Sequence, residues 1–209
     1  MKFPPDYQWL KWATDLQAIA QSGLTYAEGE YDKERYRALN AIAAEILAEH
    51  SQLDEQTILN ELALESGYAT PKIGVRGAVF VDNKILLVKE RSDGLWSIPG
   101  GWADINYSPT EVVIKEIFEE TGFTAKPLKL LAFYDKQKHP HPPEFRHIYE
   151  CVFLCEITGG SLKTSYETLE VDFFAEDQIP PLSLKRVLPQ QIQRFFAHLR
   201  HPEWPTDFD

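Results

Sequence analysis

Glu116, Glu119 and Glu120 stand at spacings i, i+3 and i+4 within GGWADINYSPTEVVIKEIFEETGF, Gly100 to Phe123. At ~100° per residue on a helix, these carboxylates share one arc, while Val113, Ile114, Ile117 and Phe118 share another. Like charges so placed repel by about 0.2–0.5 kcal/mol per pair. They also lie near the helix C-terminus, where the macrodipole disfavours anions. A solvated acidic face can carry that cost; a bound divalent cation removes it. An all-carboxylate donor set suits hard Mg²⁺ or Mn²⁺. The glycine pair ahead of the helix can bring a backbone carbonyl, that of Gly101, to the same ion.

The helix that must present these groups is well signalled. Ser108 is placed as N-cap, Pro109 as N1, and Glu111 at N3 completes a capping box. Gly122 ends the helix after Thr121. Around it the chain reads as strands and turns. KIGVRGAVFV and KILLVKE form a hairpin about Asp82-Asn83. KPLKLLAFYDK and HIYECVFLCEI follow as strands, divided by the loop Gln137 to Phe145, and Gly159-Gly160 makes a tight turn. VDFFAEDQIPPL closes the strand-rich part, and Gln190 to Leu199 reads as an amphipathic helix. Before Pro71 the chain reads as helices over Asp6–Ser22, Asp32–Glu49 and Asp54–Ser66, the first stopped by Gly23. The pattern implies an α+β class: a mixed-sheet sandwich over 71–200, carrying a helical N-terminal subdomain over 1–66.

Composition narrows the function. The 209 residues carry 21 basic and 32 acidic side chains, a net charge of −11. Residues 1–70 hold 5 of the basic and 12 of the acidic groups. So acidic a surface repels phosphate backbones and argues against non-specific nucleic-acid binding. No apolar run is long enough to span a membrane. Cys151 and Cys155 cannot build a disulfide framework, which fits a reducing cytoplasm.

The segment around Glu116 resembles the signature box of the Nudix hydrolases. That box reads Gly, five residues, Glu, seven residues, Arg-Glu, apolar, any residue, Glu-Glu, any residue, Gly, apolar. Gly101 begins it here, Lys115-Glu116 stands at the Arg-Glu pair, and Ile117, Glu119-Glu120, Gly122 and Phe123 complete it. Two positions depart. Tyr107 takes the place of the first Glu, a carboxylate that usually braces the loop, and Lys115 replaces Arg, keeping charge but losing the bidentate fork. VRGAVFVDNKILLVKE, DGLWSIPGG and FFAEDQIP extend the likeness over about residues 72–182. The N-terminal helices, GGWADINYSP and the KHPHPP loop resemble a subgroup with CDP-choline and ADP-ribose pyrophosphatases.

The resemblance implies a nucleoside diphosphate linked to another moiety, cut by water at its pyrophosphate bond with Mg²⁺ or Mn²⁺. It implies Glu116 and Glu120 as principal metal ligands, with Glu119 as ligand or base, and the carbonyl of Gly101. Glu167 and Glu170 precede a strand where the family often supplies another acid, and Glu170 is the expected one. Two other readings are an enzyme trimming 5′-triphosphate ends of RNA and a non-catalytic ligand sensor on the same scaffold.

Arg76 sits on a strand face with Ala78 and Phe80, an awkward place for a charge that a substrate diphosphate would explain. In QKHPHPPEFRH, Lys138, His139 and His141 are candidates for a semi-rigid substrate loop. Trp96 reads as core, Trp102 as core or as a stacking surface for a base, and the two cysteines as core. HPEWPTDFD has no readable role. The aromatic residues of the N-terminal helices, among them Trp9, Trp12, Tyr26 and Tyr36, exceed what a thin appendage can bury, so a homodimer built partly on residues 1–66 is expected.

Overall fold

The computed structural model describes residues 7–51 and 54–209; Asp6, where the first helix was expected to begin, lies outside them. The helices are α1 (Gln8–Tyr26), α2 (Glu30–Glu49), α3 (Glu55–Ala63), α4 (Pro109–Thr121) and α5 (Pro189–Arg200). The strands are β1 (Lys72–Val81), β2 (Lys84–Glu90), β3 (Trp96–Ser97), β4 (Gly100–Trp102), β5 (Phe123–Asp135), β6 (Ile148–Gly160), β7 (Thr168–Ala175) and β8 (Asp207–Phe208).

The chain forms two units: Met1–Pro71 with Pro143–His147, and Lys72–Pro142 with Ile148–Asp209. In the first, Leu10, Ala13, Ala44, Leu47, Ile58 and Leu62 make a small core, against which Trp9 and Phe145 pack. Asp54 caps α3 by accepting from the Thr57 amide at 2.9 Å. Gly23 does not end α1. A Cβ there would lie 2.3 Å from the Tyr36 ring of α2, so the glycine serves close helix–helix approach rather than termination.

The second unit is a mixed sheet with a helix on each face. Its strands run β3-β2-β1-β6-β5-β8, with β4 on β1 and β7 on β2. β1 lies antiparallel to β2 and β4 and parallel to β6. Asp82 and Asn83, both at positive φ (50° and 58°), make the two-residue turn from β1 to β2. The alternation along β1 sends Val75 and Val79 to the face covered by Val112, Val113 and Ile117 of α4. Ala78 and Phe80 go to the opposite face, covered by Ile192, Phe195 and Phe196 of α5. Gly77 makes room for α4: a Cβ there would lie 2.6 Å from Ile117. Cys151, Cys155 and Trp96 are core residues, as expected.

Two expectations are corrected at the sheet's edge. Gly159 and Gly160 are not a separate turn; they end β6 opposite Phe123 and Thr124. The segment HPEWPTDFD is tied down. Asp207 accepts from Arg194 Nε and Nη2 at 2.6 and 2.7 Å, and the segment adds β8 alongside β5. The cause is one acid among distant cations, which local pattern does not reveal.

Candidate active site

α4 carries the capping box read from the sequence. Ser108 Oγ accepts from the Glu111 amide at 3.3 Å, and the Glu111 carboxylate accepts from the Ser108 amide at 2.8 Å. Gly122 closes the helix in the left-handed region at φ 77°. The expected apolar arc is corrected: Ile114 and Phe118 are exposed. α4 instead buries Val112, Val113, Ile117 and Thr121 together with Glu120, so that Glu116 and Glu120 lie on the packed face, over β4.

There the i,i+4 pair meets the glycine pair. Glu120 is 4% exposed, and its Oε2 accepts from the Gly100 amide at 2.9 Å. The Glu116 carboxylate lies over Gly101, where a Cβ would come within 2.9 Å of it. Glu119 stays outside this pocket, half-exposed and 3.9 Å from Lys115. Burial pushes the Glu120 carboxyl up to about 8, with Glu90 and Glu116 adding repulsion. Glu116 is also raised by burial, with Glu119, Glu167 and Asp104 working in the same direction.

Sequence reasoning missed Glu90. It ends β2, is 7% exposed, meets Arg186 Nε at 3.1 Å, and is itself pushed up by burial. The available signal was an acid closing the apolar run ILLV of a central strand. Of the two later acids, Glu167 is the one whose charge reaches Glu116 and Glu90. Glu170 is exposed and pairs with Lys89 at 2.6 Å across β2 and β7.

The donor set fits a hard divalent cation. Two buried carboxylates, both pushed toward their protonated forms, sit against the Gly100–Gly101 backbone, and carboxylate oxygens are the donors that Mg²⁺ or Mn²⁺ prefers. Among the described residues no three of His, Cys, Asp or Glu gather at metal spacing. Glu116, Glu120 and the Gly101 carbonyl would therefore need water or substrate oxygens to complete a shell.

The two departures from the box face each other. Lys115 Nζ binds Asp104 at 2.6 Å and stands 5.8 Å from the centroid of the Tyr107 ring. Trp102 is half-exposed on β4, beside Gly101. Arg76 is 8% exposed, gives Nη1 to the carbonyls of Gly100 (3.1 Å) and Ile98 (3.3 Å), and faces Glu150 at 3.2 Å.

In the loop after β5, Lys138 is exposed, and His139 faces Asp209 at 3.2 Å. His141 binds the Leu184 carbonyl through Nδ1 at 2.7 Å, and burial drives its imidazole down to about 4. It is a neutral group there, not a cation.

The NUDIX domain model matches residues 70–198, and a model described as a UDP-X-like N-terminal oligomerisation domain matches residues 7–62. A Bacillus subtilis protein with the provisional name ADP-ribose pyrophosphatase YjhB is 47% identical over 202 residues, 97% of each chain. The crystal structure of a UDP-X diphosphatase aligns at TM-score 0.63 and 35% identity, covering 96% of this chain and 98% of that one. An ADP-ribose pyrophosphatase from Streptococcus suis aligns at TM-score 0.62 and 38% identity, over 67% of this chain and all of that one (100%). The carboxylates of α4 thus sit in a known frame, and the chain belongs to the Nudix family as a hydrolase of the subgroup with a UDP-X-like N-terminal domain.

Proposed function

We propose that the protein hydrolyses the pyrophosphate bond of a nucleoside diphosphate linked to a second moiety, of the ADP-ribose type. The observation that carries this reading is the seating of Glu116 and Glu120 on the Gly100–Gly101 backbone. Names of full-length relatives, an ADP-ribose pyrophosphatase and a UDP-X diphosphatase, support the same substrate class.

A Mg²⁺ or Mn²⁺ ion bound by Glu116, Glu120 and the Gly101 carbonyl would neutralise the diphosphate and acidify water beside it. The chain's own residues do the rest. The Gly100 amide orients Glu120. Glu119 would receive a proton from attacking water or add a ligand, the roles the family resemblance gives it. Trp102 offers an exposed indole to a base, and Lys138 a cation to phosphate. His141 acts as a neutral anchor that fixes the loop to Leu184.

Residues 1–66 would serve as the helical subdomain and 71–200 as the hydrolase domain. The first builds a homodimer through α1, where Trp12, Ile19 and Tyr26 lie seven residues apart on one exposed line. A reducing cytoplasm suits the two buried free thiols.

The test is a panel of ADP-ribose, UDP-sugars, CDP-choline, dinucleoside polyphosphates and 5′-triphosphorylated RNA with Mg²⁺ or Mn²⁺. Turnover of ADP-ribose or another nucleoside diphosphate conjugate to two phosphomonoesters is expected. Turnover of RNA ends alone, or none at all, would overturn the reading.

A further inference from the structure

Gly100 is held from both sides of the sheet. Its N–H donates to Glu120 on the α4 side, and its carbonyl accepts from Arg76 on the α5 side. The residue has φ 146°, and a Cβ on it would lie 2.2 Å from the Val75 carbonyl oxygen. The backbone here is therefore pressed against β1, where a side chain would not fit.

Arg76 is in turn held by Glu150, both buried (8% and 5% exposed), with Nε facing Oε2 at 3.2 Å. Gly74 makes room for that acid. It lies directly across from Glu150 in the β1–β6 register, and a Cβ there would come within 2.8 Å of the carboxyl. A buried ion pair is costly to desolvate and is weak evidence for stability. A hydrophobic pair at these positions would fill the sheet as well, so the pair calls for another account.

We infer that Arg76 and Glu150 are positioning residues: through the Gly100 carbonyl they fix the residue whose N–H orients Glu120. The inference rests on the metal-dependent reading of the α4 carboxylates. It reassigns Arg76, which the sequence alone points toward substrate. The guanidinium gives Nη1 to two backbone carbonyls and holds Nε 3.2 Å from the Glu150 carboxylate, an ion pair without hydrogen-bond geometry. Lysine cannot replace it, because one ammonium cannot span Ile98, Gly100 and Glu150 in a fixed plane.

The experiment compares the wild-type protein with Arg76→Lys, Glu150→Gln and the double variant. Mn²⁺ dissociation constants come from electron paramagnetic resonance without substrate, and kcat and KM from ADP-ribose at saturating Mn²⁺. Loss of support behind a metal ligand weakens metal binding or activity by ~10–100-fold. Arg76→Lys should therefore weaken Mn²⁺ binding and lower kcat by about tenfold or more, leaving KM within about twofold. Glu150→Gln should shift both in the same direction, and the double variant should be no worse than Arg76→Lys alone.

A raised KM with unchanged kcat and Mn²⁺ binding in Arg76→Lys would overturn the inference in favour of a substrate contact. Unchanged Mn²⁺ binding in Glu150→Gln would also overturn it, and this milder isostere decides the matter if Arg76→Lys fails to fold. Failure of the wild-type protein to turn over ADP-ribose would count against the proposed substrate, while the Mn²⁺ arm still decides the inference. Wild-type protein that binds no Mn²⁺ would overturn both.

Discussion

Lys115 and Tyr107, the two positions at which the signature box departs from its family pattern, stand against each other, ammonium over ring at 5.8 Å. Asp104 completes the arrangement at 2.6 Å from the same ammonium. The loop between β4 and α4 is thus braced by a lysine held between a carboxylate and an aromatic face, in place of a glutamate brace. Lys115→Met should lower kcat several-fold by loosening this loop, and Lys115→Arg should restore most of it, since a guanidinium binds both partners. Steady-state kinetics on the pair checks this; equal losses in both would reject the brace.

Glu120→Gln should lower kcat by roughly 10²–10⁴-fold, as expected for loss of a charge-stabilising group. The same variant should unfold at a higher temperature than wild type when metal is removed at pH 8. A neutral amide in that buried place avoids the desolvation that opposes the carboxylate. Wild-type turnover with excess Mg²⁺ would refute the metal assignment.

The raised carboxyl of Glu120 also sets a pH dependence. The unfolded chain releases this proton near 4.5, the metal-free folded chain near 8. Between those values the folded state holds more protons, so stability falls as pH rises through the window. Thermal melts in a chelator should show that slope in wild type and a flatter one in Glu120→Gln. Metal binding at pH 7 should release protons, and apparent Mg²⁺ affinity should climb toward pH 8. Calorimetry in buffers of different ionisation enthalpy measures that release.

His141 acts with the opposite sign. Its folded pKa near 4 lies below the 6.5 of a free imidazole, so the unfolded state binds more protons between them. Stability is lost as pH falls from about 6.5 to about 4. His141→Gln should remove that part of the acid sensitivity. KM for ADP-ribose should show no inflection from this residue between pH 6 and 7, because it carries no charge there.

Replacing Trp12, Ile19 or Tyr26 by Glu should convert a particle of about twice 24.0 kDa into one near 24.0 kDa, read by light scattering. Each of these side chains is more than half exposed on α1. A wild-type monomer at micromolar concentration would refute the homodimer. Three unchanged variants would refute this surface.

What the sequence made legible was local. Ser108, Pro109, Glu111 and Gly122 announce α4 because caps act within one turn of the chain, and Asp82-Asn83 announces its hairpin for the same reason. The hidden parts join residues far apart. Glu120 and Gly100 are twenty residues from one another, Arg76 and Glu150 seventy-four, and neither link leaves a periodic trace. Glu119 and Glu120, grouped on one arc in the sequence, stand about 100° apart on the helix, and one turns to solvent while the other is buried against β4. The tail failed to register because its meaning lies in Arg194 and His198, not in its own composition.

Pro143–His147 belong with the N-terminal helices, although the chain reaches them only after five strands and α4 of the hydrolase fold. Phe145 packs on the helical core, and Arg146 binds Glu61 at 2.6 Å. The two units are therefore interleaved along the gene. A single crossover near residue 71 would exchange the three helices yet leave their fourth piece behind, with an apolar ring and a cation deprived of partners. Grafting this N-terminal unit onto another hydrolase requires two exchanges, and shuffling by one junction should yield chimaeras that expose Phe145 and aggregate.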